Sequence, residues 1–375
     1  MDRPELTLVT HFSIIPDYRE NHNKRHILVE ILVMAVCGAI CGANAFTEIA
    51  VIANEKREWF QTFLTLPAGI PSHDTFNRVL ARINPKAIQR CFLSWVQATF
   101  PHIDGQQIAL DGKETHHSMD PANDYANLRM ISAWAVEQGI VLGQVAVDDT
   151  SNEITALPTI LELVDVSDCD ITADALHCQT DTIQAIRAAE AHYTIGVKAN
   201  QKSLYQDIMT TFTTLRAEDQ QSITTYETIE KGHGRIETRR YWTTDDLSRL
   251  STRDAWKDLQ SIGMVETERQ FGRQVSHKTR YFISSRAANV RRFATRVRGH
   301  WQIENQLHWR LDVIMDEDDA HIRVSHGPEN MAVLRHMAIN LLKQESSKMS
   351  LQSKRLRAAC NNDYLEKVIK MSVPA

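Results

Sequence analysis

The hydrophobic period changes near residue 100, and this break constrains the fold more than any other feature of the chain. Before it, apolar residues recur at three and four. "HILVEILVMAVCGAICGA" has the length and composition of a buried helix, and "AFTEIAVIANEKREWFQTFL" reads as an amphipathic one. "GIPSHDTFNRVLARINP" predicts a short helix with Ser72 as N-cap and Pro85 as its stop. After the break, strand signals take over. "QQIALDG" reads as a short apolar strand ending at Asp111, and "RMISAWAVEQGIVLGQVAVDD" as two strands joined at Gln138 and Gly139. A helix follows over "TSNEITALPTILELV", where Thr150 and Glu153 have the spacing of a capping box. Next come the strand "DITADA" closing at Asp174, the helix "DTIQAIRAAEAH", the strand "YTIGVKAN" and the helix "SLYQDIMTTFTTL". Such alternation predicts an α/β fold with a mixed sheet and flanking helices, with ligands gathering near the carboxyl ends of the strands. Asp111 and Asp174 are both expected there.

Residues from about 215 to 285 interrupt the alternation with β-type segments, "TTYETIE", "RIETRRYW", "MVETERQF" and "TRYFISS", expected to pack on the main sheet as an insertion. The helical pattern resumes at "AANVRRFATRVRGHWQIENQLHWRL", which carries Glu304, and returns in "ENMAVLRHMAINLLKQE". The expected organisation is a helical N-terminal domain over 1–100, suited to helping bind DNA, and a catalytic domain over 101–375 that carries the β-rich insertion.

Composition narrows the class. Six cysteines are scattered without a CxxC pair, which argues against a zinc ribbon or a disulfide framework and suits a reduced, cytoplasmic setting. The longest apolar run, Ile31 to Ala43, is short of the roughly 20 residues that span a bilayer, so no membrane partner is expected. The net charge of −5 speaks against a nucleic-acid protein, yet it hides a segregation. Between Glu268 and Glu304 there is no acidic residue, while nine basic ones fall in the gap, among them Arg291, Arg292, Arg296 and Arg298. Such a run makes a local positive field suited to a DNA backbone, although a solvated face reads the same way.

Three carboxylates stand out for chemistry. Asp111 and Asp174 end strands of one inferred sheet, and Glu304 lies among aromatic and apolar neighbours in "HWQIENQLHW". Three acidic groups converging on one spot suit Mg²⁺, a hard cation that prefers oxygen ligands, with Mn²⁺ able to substitute. Two such ions can serve both oxygens of an in-line phosphoryl displacement. Lys198 and Asn200, at the end of a neighbouring strand, are candidates for phosphate contact. A rival reading uses the same helix: His300, Glu304 and His308 are spaced four apart and would share one face, as zinc ligands could.

Several collinear stretches resemble one family: "GIPSHDTFNRVL", "IALDGK", "SNEITALP", "DALHCQ", "VKANQ", "HGRIETR", "HWQIENQLHWRLDVIMDED" and "LRHMAINLL". In this order they are similar to the bacterial insertion-sequence transposases that include the H-repeat-associated proteins of Rhs elements. The resemblance runs from about residue 10 to about residue 345. It implies an RNase H-like DDE transposase whose triad falls on Asp111, Asp174 and Glu304. It further implies a divalent cation, double-stranded DNA at element ends and target as partner, room for a homodimer on the DNA, and a bacterial cytoplasmic setting on the nucleoid. The chain departs from the family pattern at "DGKETH", at Thr150 before "SNEI" and at "DALHCQ". The Tyr-Arg-Glu-Lys pattern of some relatives is absent, its places around Glu304 being taken by Val297, His300 and Leu311. A DNA-binding relic without catalysis, or a nuclease used in recombination, is the reading the sequence leaves open beside an active transposase.

Overall fold

Helices dominate residues 28–100, as their period predicts. The computed structural model describes residues 7–100, 105–119, 126–147, 153–218, 220–232 and 234–370. It begins with α1 (Thr7–Phe12), α2 (Leu28–Cys41), α3 (Phe46–Glu55), α4 (Arg57–Phe60), α5 (His73–Arg82) and α6 (Pro85–Thr99). Being apolar on all sides, α2 buries every residue except Val29, as a helix at the centre of a bundle must. Its one carboxylate, Glu30, accepts hydrogen bonds from the Thr65 amide and hydroxyl and from the Leu66 amide. Ser72 caps α5, but the helix stops at Arg82, and Pro85 opens α6 behind the N-cap Asn84. Proline suits a first helical turn, where its missing N–H has no partner to lose. Among the described residues no single helix is long and apolar enough to cross a membrane; α2 and α3 pass only as a pair bent by 96°.

The strands are β1 (Gln107–Glu114), β2 (Arg129–Ala135), β3 (Ile140–Ala146), β4 (Asp170–Ala173) and β5 (His192–Val197). Between and after them lie α7 (Glu153–Leu163), α8 (Thr180–Ala188) and α9 (Lys202–Glu218). In space the strands run 3-2-1-4-5, with β1 antiparallel to β2, β2 antiparallel to β3, and β1, β4 and β5 parallel. This is the RNase H-like sheet that the resemblance implied.

The β-type segments do not stack on this sheet; they lengthen it. β6 (Thr224–Gly232), β7 (Arg235–Thr244), β8 (Ser261–Phe271) and β9 (Gln274–Ser284) form an antiparallel ribbon, and β9 pairs with β5 to give one nine-stranded sheet. Alternation within a strand shows which face is apolar and says nothing about lateral partners. The open edge of β5 offers unpaired backbone groups, and β9 satisfies them.

The chain continues through α10 (Val290–His300), a π-helical segment Ile303–His308, α11 (Trp309–Val313), α12 (Gly327–Gln344), α13 (Leu351–Cys360) and α14 (Asn362–Lys370). Successive strand residues face opposite sides of the sheet. Gln107 of β1 bonds the Arg296 carbonyl of α10, whereas a side chain at Gly112 would meet Glu153 of α7. The two positions have opposite parity, so α10 and α7 cover opposite faces. One apolar core runs from α1 through the sheet to α14, and a smaller cluster of Tyr241, Val265, Phe293, Ala294 and Val297 glues α10 to the ribbon.

Candidate active site

The parallel ladder between β1 and β4 pairs Gln107 with Asp170 and ends by pairing Leu110 with Ala173. One step further along each chain are Asp111 and Asp174, which therefore leave the ladder side by side. Asp111 is not the end of its strand, as expected, because β1 goes on to Glu114 against β2. What stops at Asp111 is only the parallel neighbour. Past Ala173 the chain turns into a short 3₁₀ segment, and the Asp174 carboxylate caps it by accepting from the Leu176 amide. That side of β1 is thus left open beyond Leu110.

Glu304 enters from the face covered by α10. The segment that carries it is π-helical, with wider turns than an α-helix and a frequent association with functional sites. Lys113, two residues beyond Asp111, fastens the chain after this segment to β1 through Asp312 at 2.8 Å, Asp318 at 3.1 Å and Glu317 at 3.3 Å.

The carboxylates feel one another. Burial, then the charge of Glu304 and that of Asp174, push the Asp111 carboxyl from an ordinary 3.8 up to about 7, against a 3.0 Å hydrogen bond from the Gly112 amide. Burial also raises Glu304, opposed by Arg280 and reinforced by Asp174. At Asp174, burial is outweighed by the Leu176 amide and by Lys198, whose ammonium lies 3.2 Å away, so this carboxyl sits below its usual range. Asp174 and Glu304 share a cleft with Lys198, Lys278, Arg280 and Trp301, and Arg280 stacks on the Trp301 ring at 5.0 Å. Asn200 turns back into the chain, donating to the Ala175 carbonyl at 2.8 Å.

The residues suit a hard cation by donor chemistry, since three carboxylates approach one another at the strand ends. Among the described residues no three acidic, histidine or cysteine groups already close on a point as tightly as a bound ion would hold them. Besides burial, the charges of Glu304 and Asp174 raise Asp111, so these carboxylates repel one another, and a cation among them would relieve that repulsion. The zinc reading fails on geometry. Wide turns break the four-residue stripe, and His308 faces Asp111, Nδ1 to Oδ2 at 3.7 Å. Burial holds both His300 and His308 near a pKa of about 4, so each is neutral at pH 7.

A family profile described as "Transposase DDE domain" matches residues 99–341, after one described as "DDE_Tnp_1-associated" on residues 9–96. The chain belongs to the DDE transposase family. Relatives of this DDE-family chain include the "H repeat-associated putative transposase YhhI" of Escherichia coli (strain K12), 34% identical over 368 residues, covering 96% of this chain and 97% of that one. The "Uncharacterized protein in dhlA 3'region" of Xanthobacter autotrophicus is 38% identical over 282 residues, covering 74% of this chain and 94% of its own. Among solved structures, a cryo-EM structure of a piggyBac transposase synaptic complex with hairpin DNA aligns over 100% of this chain and 86% of that one. Its TM-score of 0.42 and identity of 10% make it too loose a likeness to bear on the site.

The arginines expected on DNA have partners inside this DDE-family chain. Arg292 and Arg296 both bond the buried Asp170, as does Arg286, and Arg296 also reaches Glu137 at 2.7 Å. Asp170 starts β4 and Asp174 follows its end, so this knot lies about 13 Å from the carboxylates at the ordinary rise of a strand. Arg298 pairs with the exposed Glu230 at 3.0 Å, and Arg291 lies 4.6 Å from the Tyr226 ring centre. Sequence reasoning assigned Glu153 to a capping box, but Thr150 lies outside the described residues. The Glu153 carboxylate lies against Gly112 instead. A glycine inside a strand, directly after Asp111, was the available signal, since such glycines mark close approaches.

Proposed function

We propose that the protein is a DNA transposase that hydrolyses phosphodiesters at the ends of an insertion sequence and joins the freed 3′ hydroxyl to target DNA. The observation that carries this reading is the register of β1 and β4, which sets Asp111 beside Asp174 and within the field of Glu304. Asp111, Asp174 and Glu304 would hold Mg²⁺ or Mn²⁺. Such a cation supplies Lewis acidity at the phosphate and makes water a better nucleophile.

Lys198, mostly exposed beside Asp174, would meet a phosphate oxygen of the bound DNA. Arg280 and Lys278 line the same cleft and balance the charge of a second phosphate. Arg298 keeps an exposed partner, Glu230, and Arg291 lies on the half-buried Tyr226 ring; a DNA backbone can take up both guanidinium groups, whereas Arg292 and Arg296 act mainly by holding α10 on the sheet. Two copies on paired element ends would fit joining both ends to one target.

The test is cleavage of a duplex bearing the flanking element end by purified protein with Mg²⁺. Asp111→Asn, Asp174→Asn and Glu304→Gln should each abolish cutting while leaving DNA binding largely intact. Cleavage within about tenfold of the parent by any of the three removes that residue from the proposed triad.

A further inference from the structure

We infer that Glu153 is a fourth carboxylate of the cation centre, reaching it from the sheet face opposite Glu304. The inference rests on the proposed three-carboxylate site and adds a ligand to it. Glu153 is the first residue of α7, and its carboxyl group occupies the space where a side chain on Gly112 would stand. A Cβ built on Gly112 would lie 2.5 Å from the Glu153 carboxyl carbon and 2.6 and 2.7 Å from its two oxygens. The carboxylate is therefore seated on the backbone of β1 at the residue after Asp111.

This is an unusual place for a half-buried acid. Packing against a strand strips water from the carboxylate on one side, and the charge of Asp174 acts on it against that of Arg129. A buried negative charge needs a donor or a cation, because desolvation without either is costly. The open edge of β1 tells where a cation would be met. The parallel ladder ends at Leu110 and Ala173, so beyond it no β4 backbone separates the two faces of the sheet. Across this open edge the charge of Glu153 acts on Asp111, and that of Asp174 acts on Glu153. Glu304 comes from the α10 side and Glu153 from the α7 side, and the charges of both act on Asp111.

Gly112 has a reason of its own in this arrangement. Its conformation is ordinary for a strand, so backbone freedom does not require glycine there. Room for the Glu153 carboxylate does. Gly112→Ala keeps every charge in the molecule, yet its methyl must push away the far end of a flexible side chain.

Mn²⁺ binding to the full chain without DNA, followed by electron paramagnetic resonance titration at pH 8, tests this. The parent is compared with Glu153→Gln, Gly112→Ala and Asp111→Asn, each checked for folding by circular dichroism. Expected is a loss of affinity of roughly tenfold or more in all three variants. If Asp111→Asn loses affinity but Glu153→Gln stays within about threefold of the parent, Glu153 is no ligand, and the three-carboxylate reading stands. If Glu153→Gln weakens binding and a folded Gly112→Ala does not, the effect is one of distant charge, and the inference is overturned. If Asp111→Asn binds Mn²⁺ as the parent does, or the parent binds none, the proposed centre itself fails and Glu153 falls with it.

Discussion

Replacing Asp111 by asparagine should make the cation-free protein more stable, and increasingly so as pH rises. The folded-state carboxyl titrates near 7, against 3.8 for the ordinary group. Between those values the native state keeps a proton that the unfolded chain has released, so native stability falls as pH rises. The full rise corresponds to about 4 kcal/mol, is reached above pH 7, and shrinks to about 1 kcal/mol at pH 4.5. With about 2 cal/mol/K of unfolding entropy per residue, a chain of 375 residues shifts its Tm by roughly 1 °C per 0.8 kcal/mol. Asp111→Asn should therefore melt about 5 °C above the parent at pH 8 in EDTA, and only about 1 °C above it at pH 4.5. Saturating Mg²⁺ should raise the parent's Tm at pH 8 and leave the variant's nearly unchanged. Differential scanning calorimetry at the two pH values reads all of this. A variant that melts at or below the parent at pH 8, or a gap that does not change with pH, would show that Asp111 is not held under strain by burial and its acidic neighbours.

Three further outcomes follow from named contacts. Asp170→Ala should cost about 3–5 kcal/mol in chemical denaturation, because it strands Arg286, Arg292 and Arg296 around an empty place; a loss under 1 kcal/mol refutes the knot. Gly299→Ala should cost about 1–3 kcal/mol, since its methyl collides with the buried Gln107 amide that joins α10 to Thr172. The same variant should lower cleavage more than DNA affinity, because α10 leads into Glu304. Lys198→Ala should reduce the log–log salt slope of DNA binding by about 0.9, one phosphate contact, and an unchanged slope in a binding titration excludes Lys198 from the DNA.

Much of the architecture is legible in the chain because short-range patterns carry it. Apolar period distinguishes α2 from β2 and β3, Ser72 caps α5 and Gly139 turns β2 into β3 as expected, whereas Pro85 opens α6 and does not stop α5, which ends at Arg82. The two aspartates are legible for the same reason, each following a short apolar stretch, although β1 runs on past Asp111 to Glu114. What escaped the sequence depends on long-range partners. Nothing local to "TRYFISS" says that it will complete the edge of β5. Nothing near Arg292 or Arg296 shows that Asp170, more than a hundred residues earlier, will hold them, so a run of basic residues reads as a DNA face. Glu153 has a sufficient local explanation as a helix cap, and only the backbone of β1 arriving beside it reveals the closer neighbour.

The ladder between β1 and β4 also decides where chains with this fold can tolerate length changes. Its four pairs fix Asp111 against Asp174, while the chain between β1 and β4 contributes nothing to that register. Insertions or deletions in the intervening loops leave the two aspartates abreast. A single residue gained between Gln107 and Asp111 turns Asp111 to the other face of the sheet and erases the pair in one event. Changes of length are thus tolerated least in two short stretches, 107–111 and 170–174, where the count of residues alone keeps the two aspartates abreast.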